Sequence, residues 1–163
     1  KSDAAQAGIR KLRQYLDNNP APTLHHRAVL LWAGSRWVDL LSEAERREIV
    51  TDLLAGQNDD GGWALSSLGD WEREDGSKQD RHSDGYGTGF RVYVLRQAGL
   101  PASDERLRKG IRWLKTHQRE SGRWFTRSLT RDNKHYITHF GSAFAVRRFL
   151  TEPSLPLPPT HPA

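Results

Sequence analysis

Arginine residues have the spacing in this sequence that most directly suggests chemistry. Four of them recur at every fourth position through and after a predicted turn: Arg119, Arg123, Arg127 and Arg131. A guanidinium can donate two parallel hydrogen bonds to a carboxylate or a phosphate, so converging arginines could bind an anionic head group or an acidic partner. The alternative is a solvated rim on which the four charges do not converge.

Composition excludes several other chemistries. The 163 residues include no cysteine, which excludes disulfides, zinc–thiolate sites, iron–sulfur clusters and cysteine nucleophiles within this chain. Lysine and arginine outnumber aspartate and glutamate by 25 to 20, and the net charge of +5 favours solubility over nucleic-acid binding. No apolar run approaches the roughly 18 residues of a membrane-spanning helix. We predict no nucleic-acid partner, no transmembrane segment and no cofactor.

Helical periodicity accounts for most of the chain. Apolar residues repeat at helical spacing from about residue 3 to 17, 24 to 37, 86 to 98 and 137 to 150, with further helices beginning near Ser42 and Ser103. Ser42 and Glu45 form a capping box. No segment reads as a strand, and residues 70–83 predict a long exposed loop. We therefore predict an all-α domain of three helical hairpins over residues 3–151 and a proline-rich extended tail over residues 152–163.

An internal repeat is the most informative pattern. Residues 57–68 align without gaps on residues 118–129, and a weaker match joins residues 87–92 to residues 141–146. A third, degenerate match relates residues 8–12 to residues 110–114. Three residue types recur at the same offsets in the two main copies. They are Gln57, Gly61 and Trp63 in the first and Gln118, Gly122 and Trp124 in the second. Repeated helix pairs of this kind stack so that each buries a face of the next.

The residue types of the repeat suit a tight turn between two helices. A glutamine amide can donate to carbonyls left unpaired at a helix end, and glycine permits the positive φ that reverses the chain. A tryptophan can cover the reversed turn while its indole N–H finds an acceptor. The pattern therefore predicts structural turns rather than catalytic residues.

The second copy also resembles a known repeat. Residues 109–124, Lys-Gly-Ile-Arg-Trp-Leu-Lys-Thr-His-Gln-Arg-Glu-Ser-Gly-Arg-Trp, are similar to the QW repeat of squalene–hopene and oxidosqualene cyclases. Related repeats occur in protein prenyltransferase β subunits. The resemblance implies a partial α/α toroid of about six helices, in which the second, fourth and sixth helices line a central cavity and the outer helices carry the turns.

The same resemblance suggests a ligand cavity. Aromatic residues on the implied inner helices could line an apolar or cation-stabilising cavity for a hydrophobic, isoprenoid-like ligand, although ordinary core packing is the alternative. The candidates are Trp32, Tyr86, Phe90, Tyr136 and Phe140. His25 and His26 begin the second helix, and we interpret them as a neutral surface pair rather than a site.

Catalytic motifs of the resembling families are absent. The chain lacks the Asp-x-Asp-Asp-Thr motif that supplies the acid of squalene–hopene cyclases. Protein prenyltransferases hold zinc with an aspartate, a cysteine and a histidine at the heads of inner helices. The matching places here suit Asp84 with His135 or His139, and Asp80 and His82 could supply further ligands at alternate positions. The cysteine is missing, so we predict no metal site. Asp84 could instead cap its helix.

Two functions follow as hypotheses. The first is a cyclase-like or prenyltransferase-like repeat module that acts as a scaffold or binding domain without its own catalytic acid. Its open hairpin faces should be covered by another protein subunit or by further repeats. The second is a terpenoid cyclase or prenyltransferase-type enzyme that acts on a polyprenyl or triterpene substrate. It would be either a fragment whose missing part carries the acid or a divergent member that uses Asp84 and His139. The sequence sets no compartment, and an extracytoplasmic one would require a signal peptide already removed.

Overall fold

A computed structural model describes residues 2–132 and 136–150 of the chain. The described residues form six α-helices and one turn of 3₁₀ helix, Leu65–Leu68, and none of them forms a strand. The helices are α1 (Asp3–Asn18), α2 (Leu24–Gly34), α3 (Glu43–Leu54), α4 (Gly85–Gln97), α5 (Glu105–Thr116) and α6 (Tyr136–Leu150). The prediction of an all-α fold with about six helices is confirmed. The predicted tail, residues 152–163, lies outside the described residues.

Side-chain caps fix where the helices begin. The Ser42 hydroxyl accepts a hydrogen bond from the Glu45 N–H at 3.2 Å, and the Glu45 carboxylate accepts one from the Ser42 N–H at 2.7 Å. This is the capping box that the sequence predicts. Asp84 and Asp104 cap α4 and α5, where their side chains accept from backbone N–H groups of the first turn.

Helix α2 ends at Gly34 rather than near Trp37. The guanidinium of Arg46, from α3, donates to the carbonyl of Gly34 at 2.7 Å and to the carbonyl of Val38 at 3.1 Å. Carbonyls at a helix end need partners from outside the helix, and here a neighbouring helix provides them. A tertiary contact therefore ends α2 before its apolar pattern does.

Helix α4 is the centre of the fold. It packs against α2, α3, α5 and α6, and ten of its 13 residues are buried. A Cβ added at Gly89 would lie 2.8 Å from the backbone nitrogen of Ala145, so glycine permits the close approach of α4 to α6. Arg91, also buried, donates to the carbonyls of Ala64 and Ser67 and holds the 3₁₀ turn against α4.

Helix α1 lies at the edge of the fold. None of its residues is buried, and Ile9, Leu12 and Tyr15 are among the exposed large hydrophobic side chains. Its described contacts include the Arg13 guanidinium, which lies 5.6 Å from the centre of the Trp37 ring. An apolar stripe on this helix is therefore left facing solvent.

The loop before α4 is more firmly held than its polar sequence predicts. Arg73 is only 5% exposed, although charged residues surround it in the sequence. Its guanidinium donates to the carbonyl of Ser128 at 2.7 Å and to the carboxylate of Asp132 at 2.8 Å. These bonds join the loop to the segment between α5 and α6, so two distant stretches of chain share one surface.

Candidate functional site

The two predicted turns have the same geometry, and we call them the first glutamine turn (Gln57–Trp63) and the second glutamine turn (Gln118–Trp124). In the first, the Gln57 amide donates to the carbonyl of Gly61 at 2.8 Å, and in the second the Gln118 amide donates to that of Gly122 at 2.9 Å. Both glycines have a positive φ, 89° and 74° respectively. A side-chain donor and a left-handed glycine thus close each turn in the same way.

Each turn is attached to the following helix through its tryptophan. The Trp63 N–H donates to the Thr88 hydroxyl in α4 at 2.9 Å, and the Trp124 N–H donates to the Ser142 hydroxyl in α6 at 3.1 Å. Both indoles are buried. The Trp124 Nε1–H donates to the carbonyl of Leu114 at 2.7 Å. The Trp63 Nε1–H, by contrast, is buried and has no hydrogen-bond partner among the described residues. The two tryptophans therefore share the backbone attachment to the next helix, but the expected indole acceptor is present for Trp124 and not for Trp63.

The first glutamine turn also docks onto helix α5. The Gln57 amide donates a second hydrogen bond, to the carbonyl of Arg106 at 2.8 Å. The Trp63 ring lies on Gly110 so closely that a Cβ there would meet it at 2.5 Å. Gly61 also lies close to α5, since a Cβ there would be 3.2 Å from the carbonyl oxygen of Lys109. One face of α5 thus covers this turn, and glycine allows the close contact.

Asp84 joins three segments of the chain. Its Oδ1 atom accepts from the N–H groups of Tyr86 and Gly87 at 2.9 and 2.8 Å, and from the Thr126 hydroxyl at 3.1 Å. Its Oδ2 atom accepts from the N–H of Leu65 at 2.5 Å. Burial raises the pKa of Asp84 to about 6, although these hydrogen bonds act in the opposite direction. Asp84 is therefore a helix cap that also fastens the chain beyond both glutamine turns.

Among the described residues, none of the other predicted catalytic and metal residues is a hydrogen-bond partner of Asp84. His139 is exposed on α6, and His135 lies outside the described residues. Asp80 and His82 form a surface pair in which the His82 Nδ1 atom lies 2.7 Å from the Asp80 carboxylate. Within residues 2–132 and 136–150, no group of three or more histidine, aspartate or glutamate side chains is placed to hold a metal ion.

Two of the four predicted anion-binding arginines form internal ion pairs. Arg127 binds Asp132 through two hydrogen bonds of 2.8 and 2.9 Å, and Arg131 pairs with Glu74. The Arg119 guanidinium lies 4.9 Å from the centre of the Phe125 ring. A guanidinium that is already paired with a carboxylate is a poor ligand for another anion. Anion binding stays a prediction, and its remaining candidates are Arg119 and the exposed Arg123.

Aromatic side chains of α2, α4 and α6 form one cluster, in which Phe144 contacts Trp32, Tyr86 and Phe90. His25 belongs to it, contrary to its interpretation as a surface residue: its ring stacks on Phe90 at 4.8 Å, and its Nε2 atom lies 2.8 Å from the Tyr86 hydroxyl. Desolvation and the neighbouring His26 lower the pKa of His25, so the ring is neutral at pH 7. His25 and Tyr86 both lie in the first turn of their helices, and α2 and α4 begin at the same end of the cluster. This shared position in the two helices could have indicated the contact from the sequence.

A groove of about 370 Å³ opens beside this cluster. It is lined by His25, His26, Leu65, Trp71, Tyr86, Leu129, Ile137 and Phe140. Of the predicted lining residues, Tyr86 and Phe140 face it, whereas Phe90 is 1% exposed in the core and Trp32 packs edge-on against Tyr93. The side chain of Tyr136 lies outside the described residues. Burial raises the pKa of Tyr86 to about 12, so its hydroxyl keeps its proton.

None of the described helices has the length and apolar character needed to cross a membrane. Comparisons of the chain with protein-family models, with curated proteins and with solved structures found no match. The features of the molecule that bear on function are the two glutamine turns, the exposed face of α1 and the groove.

Proposed function

We propose that the chain is a helical-repeat module that acts as a scaffold or binding domain, with the partial α/α toroid arrangement of the cyclase-like and prenyltransferase-like repeats that it resembles. The packing of α4 against α2 and α6, with α3 and α5 beside it, supports α2, α4 and α6 as the inner helices. The absence of an Asp-x-Asp-Asp-Thr motif and the structural bonds of Asp84 favour binding over catalysis.

One observation carries this proposal: α1 exposes the surface that its counterpart α5 buries. The aligned residues are Ile9 and Ile111, which are 38% and 9% exposed, and Leu12 and Leu114, which are 50% and 0% exposed. Gly110 lies against the Trp63 ring, whereas a Cβ at Gly8 would meet nothing within 4 Å. A surface suited to a glutamine turn is thus left without one.

The occupant that this surface fits is a glutamine turn of a second copy of the chain. In the first turn, Gln57 donates both to its own turn and to α5, whereas the Gln118 amide has one acceptor among the described residues. Alignment of α1 with α5 places the Ala4 carbonyl where the Arg106 carbonyl accepts from Gln57. Stacking of this kind is head to tail, because the two surfaces lie on different parts of the chain.

Sedimentation over a range of chain concentrations tests the proposal. The full chain should self-associate, and Gly8→Trp should weaken association about tenfold or more, because the indole fills the space that the partner's turn needs. Arg10→Trp, on the opposite face of α1, is the matched control and should associate like the native chain. A native chain that stays monomeric at every concentration would refute stacking between copies.

An enzyme is the second candidate: the hydrogen bonds of Asp84 favour a structural role, and its raised pKa is the observation in favour of catalysis. The pKa of this carboxyl is raised to about 6 by burial, and Asp84 is two residues from Tyr86, which lines the groove. Assays with squalene and with prenyl diphosphates should then show turnover that falls about a hundredfold in Asp84→Asn and in His139→Ala. Turnover that is absent, or unchanged in both variants, would exclude this local mechanism.

A further inference from the structure

The groove beside the aromatic cluster is apolar, open and poor in hydrogen-bonding groups. Five of its lining residues are hydrophobic, namely Leu65, Trp71, Leu129, Ile137 and Phe140. The polar groups on the lining side chains are two imidazoles, the Tyr86 hydroxyl and the indole N–H of Trp71. Phe140 is 60% exposed, so a large part of its ring has no protein neighbour. A ligand here gains stability by covering aromatic and aliphatic surface.

A peptide segment in such a groove must contain few backbone N–H groups. An N–H buried against aromatic rings without an acceptor is unfavourable by on the order of 1–3 kcal/mol. Proline has no N–H, and a proline-rich segment is already extended, so it loses little conformational entropy on binding. Aromatic-lined grooves recognise proline-rich segments for these reasons.

The chain itself contains such a segment. Residues 155–159 read Leu-Pro-Leu-Pro-Pro, and residues 153–162 hold five of the eight prolines. Leu155 and Leu157, each followed by a proline, give the segment apolar side chains as well as apolar rings.

The segment is long enough to reach the groove. From Phe140 to Leu150, α6 rises by roughly 15 Å at 1.5 Å per residue. Five extended residues beyond Leu150 span roughly the same distance at about 3.1 Å each. A chain that reverses after α6 can therefore bring residues 155–159 back to the end of α6 that lines the groove.

The groove also offers a hydrogen-bond donor for a proline-rich backbone, which has carbonyls to satisfy. His25 and Tyr86 share one hydrogen bond of 2.8 Å. In the tautomer whose Nε2–H donates to Tyr86, the hydroxyl hydrogen of Tyr86 is left to bind a carbonyl in the groove.

From these observations we propose that the groove binds residues 155–159 of the same chain, and that any outside ligand of the groove must displace them. This proposal is independent of the α1 surface.

A labelled peptide of residues 152–163 tests the proposal by fluorescence anisotropy. The full chain carrying Leu155→Ser and Leu157→Ser should bind the peptide about tenfold more tightly than the native full chain, because its own tail no longer competes. Adding Phe140→Ser to that variant should weaken peptide binding about tenfold, whereas Val146→Ser, an exposed position elsewhere on α6, should leave it unchanged.

Three results would overturn the proposal: equal peptide affinity of the native chain and the tail variant, no peptide binding by the tail variant, or a dimer in sedimentation that the tail substitutions abolish. The last result would place the tail in the groove of another copy. Gly8→Trp should not change peptide binding, so failure of the groove proposal and failure of stacking through α1 are distinguished.

Discussion

At the residue scale, Asp84 shows how a carboxyl can resemble a catalytic acid and still serve the fold. Its raised pKa is the usual sign of an active-site group, since burial at a cleft disfavours the charged form. Yet its two oxygens accept four hydrogen bonds from α4, from Leu65 and from Thr126. These donors hold the start of α4 and two neighbouring segments in place. A role in the fold therefore explains a buried aspartate at this position without any substrate.

Asp84 should make stability depend on pH in an identifiable way. Because the folded pKa of about 6 exceeds the ordinary value of 3.8, the folded state binds more protons than the unfolded state between these values. The free energy of unfolding should therefore fall as pH rises from about 4 to about 6. Asp84→Ala should remove this fall and lower stability by about 2 kcal/mol, because four donors lose their acceptor.

Urea unfolding at several pH values measures both effects. Asp59→Ala, an exposed aspartate in the first glutamine turn, is the control and should keep the pH dependence of the native chain. If Asp84→Ala retained that same fall in stability between about pH 4 and about pH 6, another group would be responsible for it.

At the scale of the elements, local patterns predict the helices and their first residues. Apolar periodicity and the Ser42–Glu45 capping box involve neighbours within a few positions, so sequence alone contains them. The end of α2 is not set by residues close to it in the sequence, because its partner Arg46 belongs to the next helix. A contact of that kind depends on how helices pack, and no spacing rule contains it.

The groove was only partly predictable for the same reason. Tyr86 and Phe140 follow from helical spacing, but Trp71 and Leu129 come from loops. Arg73 places these loops beside each other by bonds to residues 55 and 59 positions away. Phe90 was predicted to line a cavity, yet the His25 ring covers it. Helical periodicity identifies the residues that face inward and does not decide which of them remain uncovered.

At the scale of the whole molecule, burial is unevenly distributed among the helices. Helix α4 has ten buried residues and contacts four other helices, whereas α1 has none. Regions with few buried apolar contacts open at a lower free energy than the core. The edge helix should therefore open independently, unless a second copy covers it.

Amide hydrogen exchange of the native chain tests this uneven stability together with the proposed stacking. In dilute solution α1 should exchange at least about a hundredfold faster than α4, since opening α1 exposes no buried side chain. As chain concentration rises, protection of α1 should increase while that of α4 stays constant, because a partner's glutamine turn covers Gly8 and Leu12 in the stacked state.

Gly8→Trp should abolish the increase, and Arg10→Trp should preserve it. Uniform protection of α1 and α4 at every concentration would show that α1 belongs to the cooperative core, and the exposed stripe on α1 would then need a different explanation.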